Sequence, residues 1–230
     1  MTAFALAPKD IRYFLMGVLF VVEGAKLIAV ATDTHRLAYC EAEIDGLNQE
    51  TKIEAIVPRK TVRELLRILP EDDTRVTVNV GDTQIGFNFA GIEFVSKLIE
   101  GKFPDYQRVM PTLDTNPQCV SINREELLLA LRRVQILTNE RFHGIRWLFT
   151  KGSLTVQGSN AEQEEASQKL AVNWEWDDLD IGFNLLYMIE LLNNLKNSEV
   201  NFHFAATPKS VLVTMPESSS FRYLIMPMRI

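Results

Sequence analysis

Only two cysteines occur, Cys40 and Cys119, far apart in the chain. That excludes a disulfide-stapled small domain and makes a reducing compartment the default. No apolar run approaches the roughly 20 residues a bilayer-spanning helix needs. The opening Met1-Thr2-Ala3-Phe4-Ala5-Leu6-Ala7-Pro8-Lys9 has neither the basic start nor the long apolar stretch of a secretory signal, so a cytoplasmic location is expected. Histidine is scarce as well: His35, His143 and His203 stand at separations that suit no metal-ligand set. There is no glycine-rich phosphate loop and no nucleophile elbow. No enzyme is expected, and neither a cofactor nor a metal. Positive net charge is also missing, since 24 Lys and Arg against 30 Asp and Glu leave −6. That sum speaks against a simple nucleic-acid binder, although a phosphate backbone senses the local field rather than the total.

What is present is a folded-protein composition. With 230 residues, 47% hydrophobic and 23% charged, the chain suits one large domain or two of ordinary size. It also repeats itself. Gly17 and Leu27 match Gly144 and Leu154, 127 positions on, and Ala31-Thr32-Asp33 matches Gly158-Ser159-Asn160 at the same spacing. Glu64-Leu65-Leu66 with Leu69 returns as Glu190-Leu191-Leu192 with Leu195, 126 on, and Val76, Val78 and Val80 return as Val200, Phe202 and Phe204, 124 on. The matches are collinear and the offset drifts as loop-length changes make it drift. Two copies of one fold are expected, 1–108 and 109–230, joined through a segment from Gly101 to Asn116 that holds Pro104 and Pro111, with Pro117 just beyond it.

In the second copy Asn123 is placed to cap a helix, with Glu126 completing a capping box. The helix then runs through Leu127, Leu128, Leu131 and Val134. Strands are expected at 145–149, 153–157, 168–174, 200–204 and 210–215, with a helix near 184–195 and a terminal strand at 221–228. The first copy starts late: the counterpart of the second copy's opening helix falls before Met1, so the chain begins inside the repeat. A sheet that lacks a strand exposes backbone groups.

Arg59, Arg63 and Arg67 lie at i, i+4 and i+8 on a helix that Pro58 opens and Pro70 ends. Arg124, Arg132 and Arg133 fall on the first helix of the second copy. Such stripes can track phosphates without reading bases, and a merely solvated helix carries them equally well. The acidic Glu162-Gln163-Glu164-Glu165 reads as a solvated turn rather than a metal site. His35, after Asp33 between two strands, suits a structural or pocket-lining role better than a general base. The ending Tyr223-Leu224-Ile225-Met226-Pro227-Met228-Arg229-Ile230 sets two methionines around a proline, a soft apolar surface that suits either a groove for peptide side chains or a frayed edge strand.

Taken together the chain resembles the bacterial DNA polymerase III beta sliding clamp, over essentially its whole length. The resemblance rests on Ile11-Arg12-Tyr13-Phe14-Leu15, Ala31-Thr32-Asp33-Thr34-His35-Arg36-Leu37-Ala38, Ile56-Val57-Pro58-Arg59-Lys60, Ser96-Lys97-Leu98, Gly101-Lys102-Phe103-Pro104-Asp105-Tyr106, Ile181-Gly182-Phe183-Asn184 and Met226-Pro227-Met228-Arg229. It implies an α+β DNA clamp fold: two repeats, each an antiparallel sheet outside with helices lining the inner face. Residues 1–108 would be a partial second clamp domain, truncated at its N-terminus, and 109–230 a complete third. The implied function is that of a processivity factor, or a truncated form of it, that encircles duplex DNA and docks partner peptides. An adaptor or decoy that binds the same partners without encircling DNA is the alternative.

The resemblance implies sequence-independent contacts to double-stranded DNA from Lys9, Arg12, Arg59, Lys60, Arg63, Arg67, Arg132 and Arg133. It implies a pocket for a Gln-Leu-x-Leu-Phe-like peptide carried by the DNA polymerase III alpha subunit, the clamp loader, other polymerases and mismatch-repair proteins. That pocket carries over as Leu15, Thr32, Thr34, His35, Arg36 and Leu37, then Pro104, Arg108 and Val109, then Asn184, Tyr187, Pro208, Ser210, Leu224, Ile225, Met226, Pro227, Met228 and Arg229. Thr34 stands where the family usually has glycine, which costs strain if that position needs positive φ. Self-association is implied too; a ring of six repeats would need three two-repeat subunits.

Overall fold

A computed structural model describes residues 1–45, 52–111, 118–205, 208–216 and 218–230. The expected linker residue Asn116, and Pro117 beyond it, lie outside the described residues. The chain divides into two compact units, Thr2–Gln107 and Arg108–Ile230, the latter together with Met1.

The first unit opens with two short 3-10 turns, Ala3–Ala5 and Tyr13–Met16. Four strands follow: β1 (Gly17–Glu23), β2 (Lys26–Thr32), β3 (Arg36–Glu43) and β4 (Lys52–Pro58). They pair antiparallel in the order β4-β1-β2-β3. Helix α1 (Arg59–Ile68) comes next, then β5 (Thr77–Val80), β6 (Gln84–Phe89) and β7 (Ile92–Lys97), an antiparallel sheet of their own. Pro58 has no N–H to lose at the helix start. The helix closes with the Leu69 N–H donating to Leu65 O at 2.9 Å, just before Pro70 forbids another turn. Leu65 is buried against Val57, Ile85, Phe87 and Phe89, the last three supplied by alternate positions of β6.

The second unit runs β8 (Gln118–Asn123), α2 (Arg124–Gln135), β9 (Gly144–Thr150), β10 (Ser153–Ser159), β11 (Glu165–Ala171), β12 (Leu179–Asn184), α3 (Leu185–Asn194), β13 (Glu199–Phe204), β14 (Val211–Met215) and β15 (Ser218–Ile225). Its strands form an antiparallel sheet β11-β10-β9-β12 and a run β15-β14-β13-β8. From β9 onward the element order repeats that of β1 to β7. Two asparagines start the helices in the same way. The Asn123 carbonyl accepts from the N–H groups of Glu125 and Glu126, at 3.1 and 3.0 Å. The Asn184 carbonyl accepts from Leu186 and Tyr187, at 2.9 and 3.3 Å.

Inward positions of β9, β12 and β13 fill the core with aromatics. Trp147 meets Phe183 and Phe202 edge-on at 5.1 and 5.2 Å, and Phe149 stacks on Trp174 at 4.4 Å. These offset and edge geometries suit the ring quadrupoles. Helix α2 crosses this sheet at Gly158. A Cβ there would come within 2.7 Å of both Thr138 Oγ1 and Val134 Cγ1.

Three sequence expectations shift. The strand expected at 168–174 is β11 at 165–171, because Val172 and Trp174 turn back to hydrogen-bond Gly152. Strand β12 was not foreseen; its alternation is only three apolar residues long, Leu179, Ile181 and Phe183, and runs directly into the α3 cap at Asn184. The terminal strand ends at Ile225 rather than 228, since Pro227 has no ladder donor. Among the described residues no helix is long and apolar enough to cross a membrane.

Candidate functional site

The tail does not fray after β15. The Met228 N–H donates to Gly182 O at 2.9 Å, an antiparallel bridge to the edge of β12. The approach is so close that a Cβ at Gly182 would lie 2.5 Å from Met228 O and 2.6 Å from Ile230 Cγ1. At Gly144, the neighbouring outward position on β9, a Cβ would meet Ile230 Cγ1 at 3.6 Å and Met228 Cε at 3.7 Å. Two glycines thus leave a bare track on which Met228 and Ile230 lie, while Met226 stays 44% exposed. Gly182, Gly144 and Ile230 were not among the expected site residues. The available signal was a glycine inside an alternating strand, which often marks close backbone approach.

Of the other expected pocket residues of this unit, Ser210 and Asn184 lie near the tail by strand register. The pairing of Val211 with Ile225 sets Ser210 level with Met226, and Pro208 precedes it. Asn184 lies two residues beyond Gly182 on β12. Its carbonyl is committed to capping α3, and Tyr187 is half-buried in the first turn of that helix. Leu224 and Ile225 are buried, whereas Arg229 is exposed.

In the first unit the Thr32–Leu37 turn is internally braced. Thr32 Oγ1 donates to Arg36 O at 2.6 Å and accepts from the Thr34 N–H at 3.0 Å. Asp33 Oδ1 accepts from the His35 and Arg36 N–H groups at 3.0 and 3.1 Å. Arg36 Nε donates to Asp33 Oδ2 at 3.0 Å, with both side chains over nine-tenths buried. Arg36 Nη2 also donates to Phe4 O at 2.9 Å, and the guanidinium lies 5.9 Å from the Phe4 ring centroid. Arg36 therefore ties the N-terminal segment to the turn. Thr34 has φ of +77°, a left-handed conformation that a β-branched residue adopts only under strain. Leu15 and Leu37 are buried, His35 is exposed, and so are Pro104, Arg108 and Val109.

The expected DNA-facing cations differ in how free they are. Arg12 is clamped by Asp10, with Nε on Oδ1 at 2.9 Å and Nη2 on Oδ2 at 2.7 Å. Hydrogen bonding from Arg12 holds the Asp10 carboxyl down to about 2. The local charge of that loop is thus largely cancelled, leaving exposed Lys9. On α1, Lys60 and Arg63 are exposed and Arg59 half-buried. Arg67 pairs with Glu64 at 2.8 Å. On α2 the adjacent Arg132 and Arg133 diverge, the first donating to Asn193 Oδ1 at 3.2 Å and the second to Gln168 Oε1 at 3.0 Å. Neither of those partners cancels the charge. Arg124 is a brace: its Nε and Nη1 donate to the carbonyls of Asn197 and Leu192, at the end of α3.

The 162–165 segment is an exposed turn organised by Asn160, whose carbonyl accepts from the Glu162 and Glu164 N–H groups. His203 Nε2 faces Thr214 Oγ1 at 2.9 Å, and burial pushes its pKa down. Burial pushes the Cys40 and Cys119 thiols up, away from the reactive thiolate. Among the described residues no three His, Cys, Asp or Glu side chains gather to hold a metal.

Residues 1–105 match the family described as DNA polymerase III beta subunit, central domain, and residues 107–229 the C-terminal domain of the same subunit. The beta sliding clamps of Pseudomonas aeruginosa and of Escherichia coli K12 are each 39% identical over 229 and 230 residues. The match takes in the whole of this chain and 62% of each of those proteins. A crystal structure of the Pseudomonas aeruginosa DNA polymerase III beta subunit superposes with a TM-score of 0.94 at 38% identity, over all of this chain and 62% of that one. The chain thus spans a little under two thirds of the length of these relatives and belongs to the DNA polymerase III beta subunit, or beta sliding clamp, family.

Proposed function

We propose that this chain serves DNA replication in the cytoplasm as a non-catalytic processivity clamp, or a truncated form of one, that slides on duplex DNA and docks short peptides of the Gln-Leu-x-Leu-Phe type. The observation that carries the peptide reading is the tail on its glycine track. It holds Met226 and Met228, soft side chains that adapt to varied apolar partners, on an ordered edge two residues from Asn184, with Ser210 level with Met226; Tyr187 and Pro208 belong to the same proposal. The family resemblance assigns peptide docking also to the Thr32–Leu37 turn, Leu15, Pro104, Arg108 and Val109. Partners would be the polymerase alpha subunit, the clamp loader, other polymerases and mismatch-repair proteins.

The DNA reading rests on Lys9, Arg59, Lys60, Arg63, Arg132 and Arg133, whose charges no described carboxylate neutralises. Arg12 and Arg67 contribute less because Asp10 and Glu64 already pair with them. Self-association is proposed through the last repeat, where Ile136 and Phe142 beyond α2 are 80% and 60% exposed.

Fluorescence polarisation of a labelled Gln-Leu-x-Leu-Phe peptide tests the docking reading. Binding near the micromolar range, about −8 kcal/mol, is expected, and deletion of Met226 to Ile230 should abolish it while the circular dichroism of the fold persists. Unchanged affinity in the deletion would sink the assignment. Reversing charge at Arg59 and Arg63 should lower salt-sensitive retention on circular DNA and spare the peptide. A chain that binds peptide with no such retention would be the adaptor instead.

A further inference from the structure

We infer that a second docking site lies wholly within the first unit, along the free edge of β4, and that it takes an extended partner segment in which basic and apolar side chains alternate. This site is independent of the tail and of the peptide reading above. Two matched edges lead to it. In the second unit the Met228 N–H bonds Gly182 O, and the tail continues through Arg229 to Ile230 along β12. In the first unit the Ile99 N–H bonds Ile56 O at 2.9 Å in the same way, on the strand that matches β12. There the chain turns off at Gly101, whose φ of +136° is open to glycine and strained for other residues. The edge beyond Ile56 is left uncovered, and a cleft of about 440 Å³ remains.

The cleft is built for a strand. Because the Ile56 carbonyl faces outward to Ile99, the alternation of β4 turns the N–H and C=O of Glu54 outward too. No described residue takes them up. The floor is apolar and buried: Leu19 and Ile56 from the sheet, with Phe103. The rim is acidic, with Glu54, Asp82 and Glu100 beside Lys102. Glu54 also meets Lys52 at 3.2 Å, both half exposed, whereas no described basic side chain forms an ion pair with Asp82 or Glu100. A strand added here gains main-chain hydrogen bonds from Glu54, sets alternate apolar side chains on the floor face that Leu19, Ile56 and Glu54 share, and leaves the cationic ones to Asp82 and Glu100. Its template is on the same molecule, since the tail that fills the matched edge reads apolar, basic, apolar at Met228, Arg229 and Ile230.

The probe is a fluorescein-labelled acetyl-Lys-Val-Arg-Val-Lys amide titrated against the full chain, with amide chemical shifts followed by NMR. Saturable binding is expected, with shifts centred on Glu54, Ile56 and Gly101. The exposed-rim variant Asp82→Asn with Glu100→Gln should weaken it at least fivefold, and the same peptide with Glu in place of Lys and Arg should not bind. N-methylation of the central Arg amide should weaken it comparably if the contact is a strand addition. Absence of binding to the intact chain overturns the proposal, as does affinity unchanged by both the rim variant and N-methylation. Shifts confined to the tail and β12 overturn it as well, by assigning the peptide to the other edge.

Discussion

The two units carry the same succession of four strands, a helix and three strands, yet they solve one packing problem differently. In the second unit α2 lies on β10 so closely that position 158 must be glycine. In the first, where two 3-10 turns precede β1, the matching position is a buried alanine, Ala31. The edges differ likewise. The second unit's edge strand has Gly182 beneath a continuous tail, and the first has Ile56 beside a chain that departs at Gly101. A repeat preserves the hydrogen-bonding plan, while the side chain allowed at a matched point is set by what lies across from it.

That contrast can be broken in several places. The largest effect should come from Gly158→Val, which drives a branched side chain into Val134 and Thr138 and costs about 3 kcal/mol of unfolding free energy. Ala31→Gly at the matched position should cost only about 1 kcal/mol. Urea denaturation that gave equal losses would mean that α2 adjusts and the two positions are not distinct. Next comes Gly182→Ala. Its methyl group collides with the Met228 carbonyl, so the tail should lift, and peptide affinity should fall about tenfold, roughly 1.4 kcal/mol, with the fold retained. Full affinity in this variant would show that the peptide does not need the tail in its track.

A smaller gain is expected at Thr34. Relief of left-handed strain, of order 1–3 kcal/mol, is partly offset by the extra unfolded-state freedom of glycine. Thr34→Gly should therefore raise stability by about 1 kcal/mol, and a loss in thermal denaturation would contradict the strained φ. Smallest is the Asp10–Arg12 pair. Its carboxyl titrates lower folded than unfolded, so its contribution is present above the ordinary carboxylate range and disappears as pH falls toward about 2. NMR titration of Arg12→Ala should return the Asp10 midpoint to about 3.8, while Arg67→Ala leaves it where it is.

Much of the architecture was legible because periodicity reports burial. The helices at Arg59, Arg124 and Leu185 were announced by Pro58, Asn123 and the leucine runs, and each begins within a residue or so of where those signals stand. Strand β12 escaped because only Leu179, Ile181 and Phe183 carry its alternation before the α3 leucine run begins, and its Gly182 is the residue the tail requires. Residue type did not reveal how far each basic side chain was spent. Arg36 and Arg124 are used as braces, Arg12 and Arg67 are paired with carboxylates, and Lys60 and Arg63 stay exposed.

By itself the amino-acid order determined the two-copy plan, the helix starts and the family, because these follow from local propensity, apolar spacing and motif order. The tertiary structure alone decided where the tail goes, why Gly182 and Gly158 admit no side chain, and which cations remain uncancelled. Each of those depends on atoms brought together from distant parts of the chain, such as Gly182 and Met228 or Gly158 and Val134, and linear spacing carries no record of such approaches.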